Sequence, residues 1–170
     1  MGVILLILIL FMKNTANFSP AAKVWVYQSS RPFTREEIEL LNTKLASFAV
    51  QWTAHNKQLN AMGEVFEDRF VVLMVDETHT SASGCSIDTS VHFIKEVENH
   101  FGVSMFDRTI VNFQSPSGIQ TIALNELQDK FKLGLVTHQT IVYDPLVNTK
   151  MALDSSFKAP LGNTWMNNFI

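Results

Sequence analysis

The sequence has little of what usually identifies a class of protein. It holds a single cysteine, Cys85, so no disulfide can form within the chain and no oxidising compartment is required. The 13 basic and 16 acidic residues leave a formal net charge of −3, which provides no electrostatic drive towards nucleic acid or anionic lipid. We therefore expect a cytoplasmic protein that binds no nucleic acid.

Long hydrophobic runs are missing too, apart from the first twelve residues, MGVILLILILFM. This run is about half of the ~20 residues that a helix needs to span a bilayer, so no stable membrane span is expected. Two interpretations remain open. Either translation starts at Met12 and the run is an upstream extension, or the run is a signal or anchor that makes the protein exported or surface-anchored. In both cases we place residues 1–22 outside the fold and expect one domain over residues 23–170.

The chain does have ample apolar material and clear local signals. With 46% hydrophobic residues among 170, it can bury the core of one domain. Residues 24–28 (VWVYQ) alternate as the residues of a strand do. Thr34 and Glu37 form the capping box of a first helix. Apolar residues then recur at spacings of three and four and predict a buried helix face: Ile38, Leu41, Leu45, Phe48 and Trp52.

The second half of the chain predicts a second long helix, further strands and a third, short helix. The second helix ends at Gly102 and buries one stripe of apolar residues: Ile87, Val91, Ile94, Val97 and Phe101. Short apolar runs predict strands at residues 64–66, 70–76, 105–113, 119–124 and 140–143. Asn125 is expected to cap the short helix, and the C-terminal remainder to wrap the surface with Trp165 and Phe169 as anchors. The order βαββαββαβ predicts an α+β fold, with a mostly antiparallel or mixed sheet and two to three helices packed on one face.

Residues 71–77, VVLMVDE, have the form of a Walker B strand, an apolar run that ends in the acidic pair Asp76 and Glu77. A nucleotide hydrolase also needs the phosphate-binding loop G-x-x-x-x-G-K-[ST], which occurs nowhere in the chain. We therefore exclude ATPase activity and expect a buried strand with polar residues at its end. No cofactor is predicted.

Four segments of the chain are similar to segments of one known family. They are residues 23–29 (KVWVYQS), 52–55 (WTAH), 75–77 (VDE) and above all 84–95 (GCSIDTSVHFIK). They resemble a family of small, uncharacterised bacterial proteins, many of which carry an automatic label of ABC transporter ATPase. The resemblance covers residues 23–170 and implies a bacterial origin, but no activity, and the missing phosphate-binding loop makes the label wrong for this chain. Family members usually begin close to the first strand, which favours a start at Met12.

Cys85 is the side chain with the most specific predicted role. At a helix N-terminus a thiol lies near the positive end of the helix dipole, which favours the thiolate and makes it a nucleophile or redox centre. Asp88 and His92, four residues apart, can contact each other and orient the imidazole. His92 lies about 10 Å from Cys85 along one helix, too far for a direct hydrogen bond, so His79 or His55 is the alternative base. Cys85, Asp88 and His92 are the predicted catalytic residues.

A second group of polar residues surrounds the same loop. Asp76, Glu77 and His79 are the predicted binding residues, because they follow a buried strand directly. Together with Asp88 and His92 they offer carboxylate and imidazole ligands that suit Zn²⁺, Mn²⁺ or Fe²⁺. No H-x-H, H-E-x-x-H or C-x-x-C spacing accompanies them.

The sequence therefore leaves three hypotheses for the function. The favoured one is a binding or interaction module for a small molecule or a protein partner, with a homo-oligomer left open. The alternatives are a thiol-dependent enzyme or redox protein that uses Cys85, and a metal site at the loop. The favoured hypothesis follows from the helix geometry, which turns Asp88 and His92 away from the apolar stripe and towards solvent.

Overall fold

The computed structural model describes residue 15 and residues 17–170. Both interpretations of residues 1–12 concern a segment outside the described residues. The described part of the predicted extension contacts the domain. Phe18 packs against the core, and the backbone amide of Ser19 donates to the Asp76 carboxylate at 2.8 Å. Ala22 is buried, so the boundary predicted at residue 23 falls directly after a residue that packs with the domain.

Within the described residues the chain forms nine strands and four α-helices, and all its strand pairs are antiparallel. The strands are β1 Lys23–Gln28, β2 Thr53–Ala54, β3 Lys57–Gln58, β4 Asn60–Phe66, β5 Phe70–Asp76, β6 Ile110–Ser115, β7 Gly118–Ala123, β8 Ile141–Tyr143 and β9 Lys158–Pro160. The helices are α1 Arg35–Gln51, α2 Gly84–Phe101, α3 Leu127–Lys132 and α4 Lys150–Ser156. The predicted α+β fold is confirmed. No helix in this part of the chain is long and apolar enough to cross a bilayer.

A three-stranded sheet in the order β1-β5-β4 forms the centre of the core. Its middle strand β5, FVVLMVD, is buried at every residue because both faces of the sheet are covered. On one face Leu73 packs with residues of α1 and α2. On the other face Val72 packs with residues from the C-terminal half of the chain. The continuous apolar run in β5 is therefore the pattern of a strand between two layers.

α1 begins at the predicted capping box. The Thr34 hydroxyl accepts from the Glu37 amide at 3.3 Å, and the Glu37 carboxylate accepts from the Thr34 amide at 2.8 Å. The helix ends at Trp52, which is buried. A tight hairpin follows between β2 and β3, with His55 and Asn56 at the positive φ that such a two-residue turn requires. The hairpin fixes Trp52 against the core at the C-terminal end of α1.

α2 begins at two serine side chains that cap it and ends at a glycine. The Ser83 hydroxyl accepts from the Ser86 amide at 3.3 Å, and the Ser86 hydroxyl accepts from the Ser83 amide at 2.7 Å. The helix stops at Gly102, which has a φ of 62° in the left-handed region. The predicted stop at Gly102 is confirmed, since glycine adopts this conformation without a side-chain clash.

The buried face of α2 differs from the predicted stripe in its first half. Ser86 and Ser90 are buried there, whereas Ile87 and Val91 are only partly buried. The prediction is correct in the second half of the helix, where Ile94, Val97 and Phe101 are buried. The cause lies in Trp52, whose indole fills the space beside α2 and donates to the Ser86 carbonyl at 2.8 Å. Small serine side chains leave room for this ring.

A four-stranded sheet in the order β7-β6-β8-β9 belongs to the C-terminal half of the chain. Its strand β6 begins only at Ile110, later than predicted, because the Asp107 carboxylate accepts from the amide and the hydroxyl of Thr109 and turns the chain there. The predicted cap at Asn125 is wrong. The chain enters α3 through a 3-10 turn, Leu124–Glu126, and no side chain caps its start.

The C-terminal segment is more regular than the sequence analysis predicts. It forms α4 and β9, and α4 buries Leu153 on the sheet face opposite α1 and α2. Trp165 is confirmed as an anchor, because its indole packs against the core and donates to Asp144 at 2.9 Å. Phe169 is 44% exposed, and Met166 is buried in its place. α1 and α2 share one face as predicted, and α4 adds a helix on the other.

Candidate functional site

The loop between β5 and α2 is held by the acidic residues that were predicted to bind a ligand. One oxygen of Asp76 accepts from the Thr78 amide at 3.0 Å and from the Thr78 hydroxyl, and the other accepts from the Ser19 amide. These hydrogen bonds, first of all the one from the Thr78 hydroxyl, lower the pKa of Asp76. Asp76 therefore caps the end of β5 and has its acceptors occupied within the chain.

Glu77 has a similar structural role. Its carboxylate accepts from the Ala82 amide at 2.8 Å and lies 3.1 Å from the ammonium of Lys23. His79 is exposed on the loop between β5 and α2. Asp76 and Glu77 thus position the loop that leads into α2, and neither they nor His79 line the groove that lies between α1 and α2.

The predicted catalytic residues lie on one helix but do not form a hydrogen-bonded set. Cys85 is exposed at the start of α2, and its backbone carbonyl accepts from the Thr89 hydroxyl at 2.9 Å. Asp88 and His92 are also exposed. Among the hydrogen bonds of the described residues, none joins the Cys85 thiol, the Asp88 carboxylate and the His92 imidazole. His92 instead lines a groove that Cys85 and Asp88 do not reach.

The alternative metal site is not formed. No group of three or more histidine, cysteine, aspartate or glutamate side chains in the described part of the chain could hold a metal ion. This includes Asp76, Glu77, His79, Asp88 and His92. The structure therefore does not bring these five residues together as a metal site: Asp76 and Glu77 are hydrogen-bonded within the chain, and His92 lines a groove that the other four do not line.

A groove with a volume of ≈ 560 Å³ lies between α1 and α2. The two helices run antiparallel. Trp52, at the end of α1, bonds Ser86 near the start of α2, and Phe33, just before α1, lies 5.6 Å from Phe101 at the end of α2. The groove, which we call the α1/α2 groove, is lined by Lys44, Ser47, Phe48, Gln51, Thr89, His92, Phe93, Glu96, Val97 and His100.

The floor of the α1/α2 groove is aromatic. The rings of Phe48 and Phe93 are stacked, with centroids 4.3 Å apart and an interplanar angle of 16°. Phe48 also lies 5.1 Å from Trp52, so the stack is supported from the core. Both phenylalanines are partly exposed in the groove. A flat apolar surface of this kind can accept another planar group by stacking.

The rim of the α1/α2 groove carries charges without partners. Lys44 lies on the α1 side, while His92, Glu96 and His100 follow one another at four-residue spacing on α2. Among the described residues no hydrogen bond or ion pair uses any of these four side chains, although six ion pairs form elsewhere in that part of the chain. The groove therefore presents one free ammonium and one free carboxylate beside two imidazoles.

Of the ten groove residues, sequence reasoning proposed a functional role for His92 alone and assigned it to a different site, while Phe48 and Val97 were predicted as parts of buried helix faces. The helical spacing of His92, Glu96 and His100 is visible in the sequence and places them on one face. Lys44 and Phe48 lie on a different helix about 45 residues earlier in the chain, and only the antiparallel packing of the two helices brings them together.

Comparison with known proteins adds no relative. No protein-family model matches the chain, and neither the curated proteins nor the solved structures contain a significant match. The resemblance to the small bacterial family therefore stays a prediction. What the structure itself defines is an α+β domain with one open, aromatic-floored groove.

Proposed function

We propose that this chain is a binding module and that the α1/α2 groove holds its ligand, a small molecule with an aromatic ring and two opposite charges. The observation that carries the proposal is the combination of the stacked Phe48 and Phe93 rings with the unpaired charges of Lys44 and Glu96. A volume of ≈ 560 Å³ is within the range of small-molecule sites.

Each part of such a ligand has a partner in the groove. Its ring stacks on Phe93, and aromatic pairs contribute about 0.5–1.5 kcal/mol beyond the burial of their area. Its carboxylate pairs with Lys44 and its ammonium with Glu96. Hydrogen bonds to charged groups contribute roughly 1.5–3 kcal/mol each. Since the groove is open to solvent, we expect weak binding, with a dissociation constant of about 1 mM.

We further propose a cytoplasmic location in a bacterium and no nucleic-acid partner. Cys85 is an exposed free thiol, which persists most readily in a reducing compartment. The net charge of −3 supports the absence of a nucleic-acid partner. A second copy of the chain could occupy the groove instead of a small ligand. The oligomeric state of the free protein is therefore measured by sedimentation alongside each titration.

Titration of labelled protein followed by two-dimensional NMR tests the groove. The probes are phenylalanine, 3-phenylpropionate, which lacks the ammonium, and phenethylamine, which lacks the carboxylate. We expect saturable shifts at groove residues, with phenylalanine binding at least tenfold more tightly than either fragment, because each fragment loses one charge-assisted contact. No saturable shift with any of the three probes, up to their solubility limits, would contradict the proposal.

Variants of the rim assign the contacts. Lys44→Met should weaken the binding of phenylalanine and 3-phenylpropionate but leave that of phenethylamine unchanged. Glu96→Gln should weaken the binding of phenylalanine and phenethylamine but leave that of 3-phenylpropionate unchanged. Lys57→Met is the matched control, since Lys57 is an exposed lysine in β3 outside the groove. Equal effects of Lys44→Met and Lys57→Met would mean that general charge, and not the groove, governs binding.

The thiol hypothesis has no comparable support and stays a prediction. Cys85 has neither a base within hydrogen-bonding distance nor a place in the groove among the described residues. Its reactivity is a separate measurement from the ligand titration, so one result does not decide the other.

A further inference from the structure

Arg69 is a buried cation at the junction of the two larger sheets. It follows the tight turn Glu67-Asp68 and directly precedes β5. Only 6% of the residue is exposed. Burying a charged group without an opposite charge is costly, so the partners of this guanidinium decide what it does.

One nitrogen of Arg69 donates hydrogen bonds to a network of polar side chains. Its Nη1 donates to the side-chain oxygen of Asn112 at 3.2 Å and to the Thr121 hydroxyl. The Thr121 hydroxyl donates onward to the same Asn112 oxygen at 2.6 Å. The Asn112 amide nitrogen donates to Gln28 at 3.0 Å, and the Gln28 amide nitrogen donates to the backbone carbonyls of Asp107 and Ile110.

This network leaves no acceptor for the rest of the guanidinium. The Asn112 oxygen already accepts two hydrogen bonds, and Thr121 accepts one while donating its only proton. The Arg69 Nε–H and the two N–H groups of Nη2 have no partner among the described residues, and no carboxylate there lies within 4.0 Å of Arg69. Three donors of the fork therefore remain free, and two of them, Nε–H and one N–H of Nη2, share one edge.

The free donors of Arg69 are not fully sealed from solvent, although only 6% of the residue is exposed. Among the described residues, one side-chain nitrogen or oxygen is both fully sealed from solvent and without a hydrogen-bond partner, and this atom is Oε2 of Glu64. Nε and Nη2 of Arg69 have no partner either, so they cannot be fully sealed. Thr121, which contacts Arg69, is exposed on β7, an edge strand of its sheet. The edge of β7 is therefore the side from which a small solute would reach Arg69.

We infer that Arg69 is the centre of an oxyanion site, where a carboxylate, phosphate or sulfate group accepts from Nε and Nη2 of its guanidinium. The planar fork of arginine matches two oxygens of such a group. Burial lowers the pKa of Arg69, as expected for a cation without a nearby anion, and a bound anion reverses this effect. Arg69 does not line the α1/α2 groove, so this site is separate from the proposed ligand site.

The Nε–H signal of Arg69 in ¹H–¹⁵N spectra reports directly on this site. Phosphate, sulfate and acetate are titrated separately at constant ionic strength, with chloride as the reference ion. We expect the Arg69 Nε–H signal to shift saturably with at least one oxyanion and not with chloride. The comparison between phosphate and acetate shows whether the natural ligand carries a phosphate or a carboxylate.

Two variants complete the test. An oxyanion that binds the folded protein should also raise its melting temperature. Arg69→Lys should abolish both this rise and the saturable NMR response, and Arg35→Lys is the control, an exposed arginine that pairs with Glu39. If Arg69→Lys does not fold, the wild-type titration alone decides, because the Nε–H signal is assigned through its own bonds. A shift that is the same with chloride, or a saturable response that persists in Arg69→Lys, would overturn the inference.

Discussion

Glu64 provides the sharpest quantitative prediction about stability. It lies on the edge strand β4, opposite Val72 of β5, and its Oε2 is sealed from solvent without a hydrogen-bond partner among the described residues. Burial raises the pKa of Glu64 from 4.5 to about 7. The unfolded chain lacks this burial, so its Glu64 titrates near 4.5.

The sign and size of the effect follow from that difference. Between pH 4.5 and about 7 the folded protein binds more protons at Glu64 than the unfolded chain, so the free energy of unfolding falls as the pH rises through this window. At 1.36 kcal/mol per pH unit the ceiling is about 3.4 kcal/mol. Glu64 as a residue is partly exposed, and solvent screening reduces the expected loss to about 1–2 kcal/mol.

Urea unfolding of wild type and Glu64→Gln at pH 4 and pH 8 measures this loss. The amide does not titrate, so any constant cost of placing it in the site cancels when the two pH values are compared. We expect Glu64→Gln to gain about 1–2 kcal/mol relative to wild type between pH 4 and pH 8. Glu126→Gln, at an exposed acid, is the control. Parallel pH profiles for wild type and Glu64→Gln would refute the reasoning.

Three further predictions concern α2 and its neighbours. Cys85 is exposed, so it should react with iodoacetamide in the folded protein. We expect the same rate in wild type and in His92→Gln, and a slower rate in the variant would support the thiol hypothesis. Gly63→Ala should lower the free energy of unfolding by about 1–3 kcal/mol, because its new Cβ would lie 2.9 Å from leucine side chains of α1 and β5; an unchanged urea midpoint would contradict this packing. Trp52→Phe should cost roughly 1–3 kcal/mol in the same assay, since it leaves the Ser86 carbonyl without its indole donor.

Local signals in the sequence predicted the beginnings and ends of the long helices well. The capping box of Thr34 and Glu37 and the stop at Gly102 involve residues at most a few positions apart, and both are present in the structure. The buried strand β5 also follows from its own apolar run. These features depend on the chemistry of one segment and need no knowledge of its neighbours.

Features that depend on distant residues were not predictable in the same way. The face of α2 that carries Ser86 turns inwards because Trp52, 34 residues earlier, fills the space beside it. The hydrogen bond from Asn112 to Gln28 joins two side chains that are 84 residues apart in the chain. The sequence analysis therefore placed its site at the start of α2, whereas the groove arises where α2 packs beside α1.

The aromatic contact in the α1/α2 groove is the most direct point at which to test the proposed function. Isotope-filtered nuclear Overhauser spectra of labelled protein with unlabelled phenylalanine measure which protons lie within about 5 Å of the ligand ring. We expect cross-peaks from the ligand ring to the ring protons of Phe48 and Phe93, and their loss in Phe93→Leu. Cross-peaks confined to residues outside the groove, or none at saturating ligand, would contradict the proposal that this groove is the binding site.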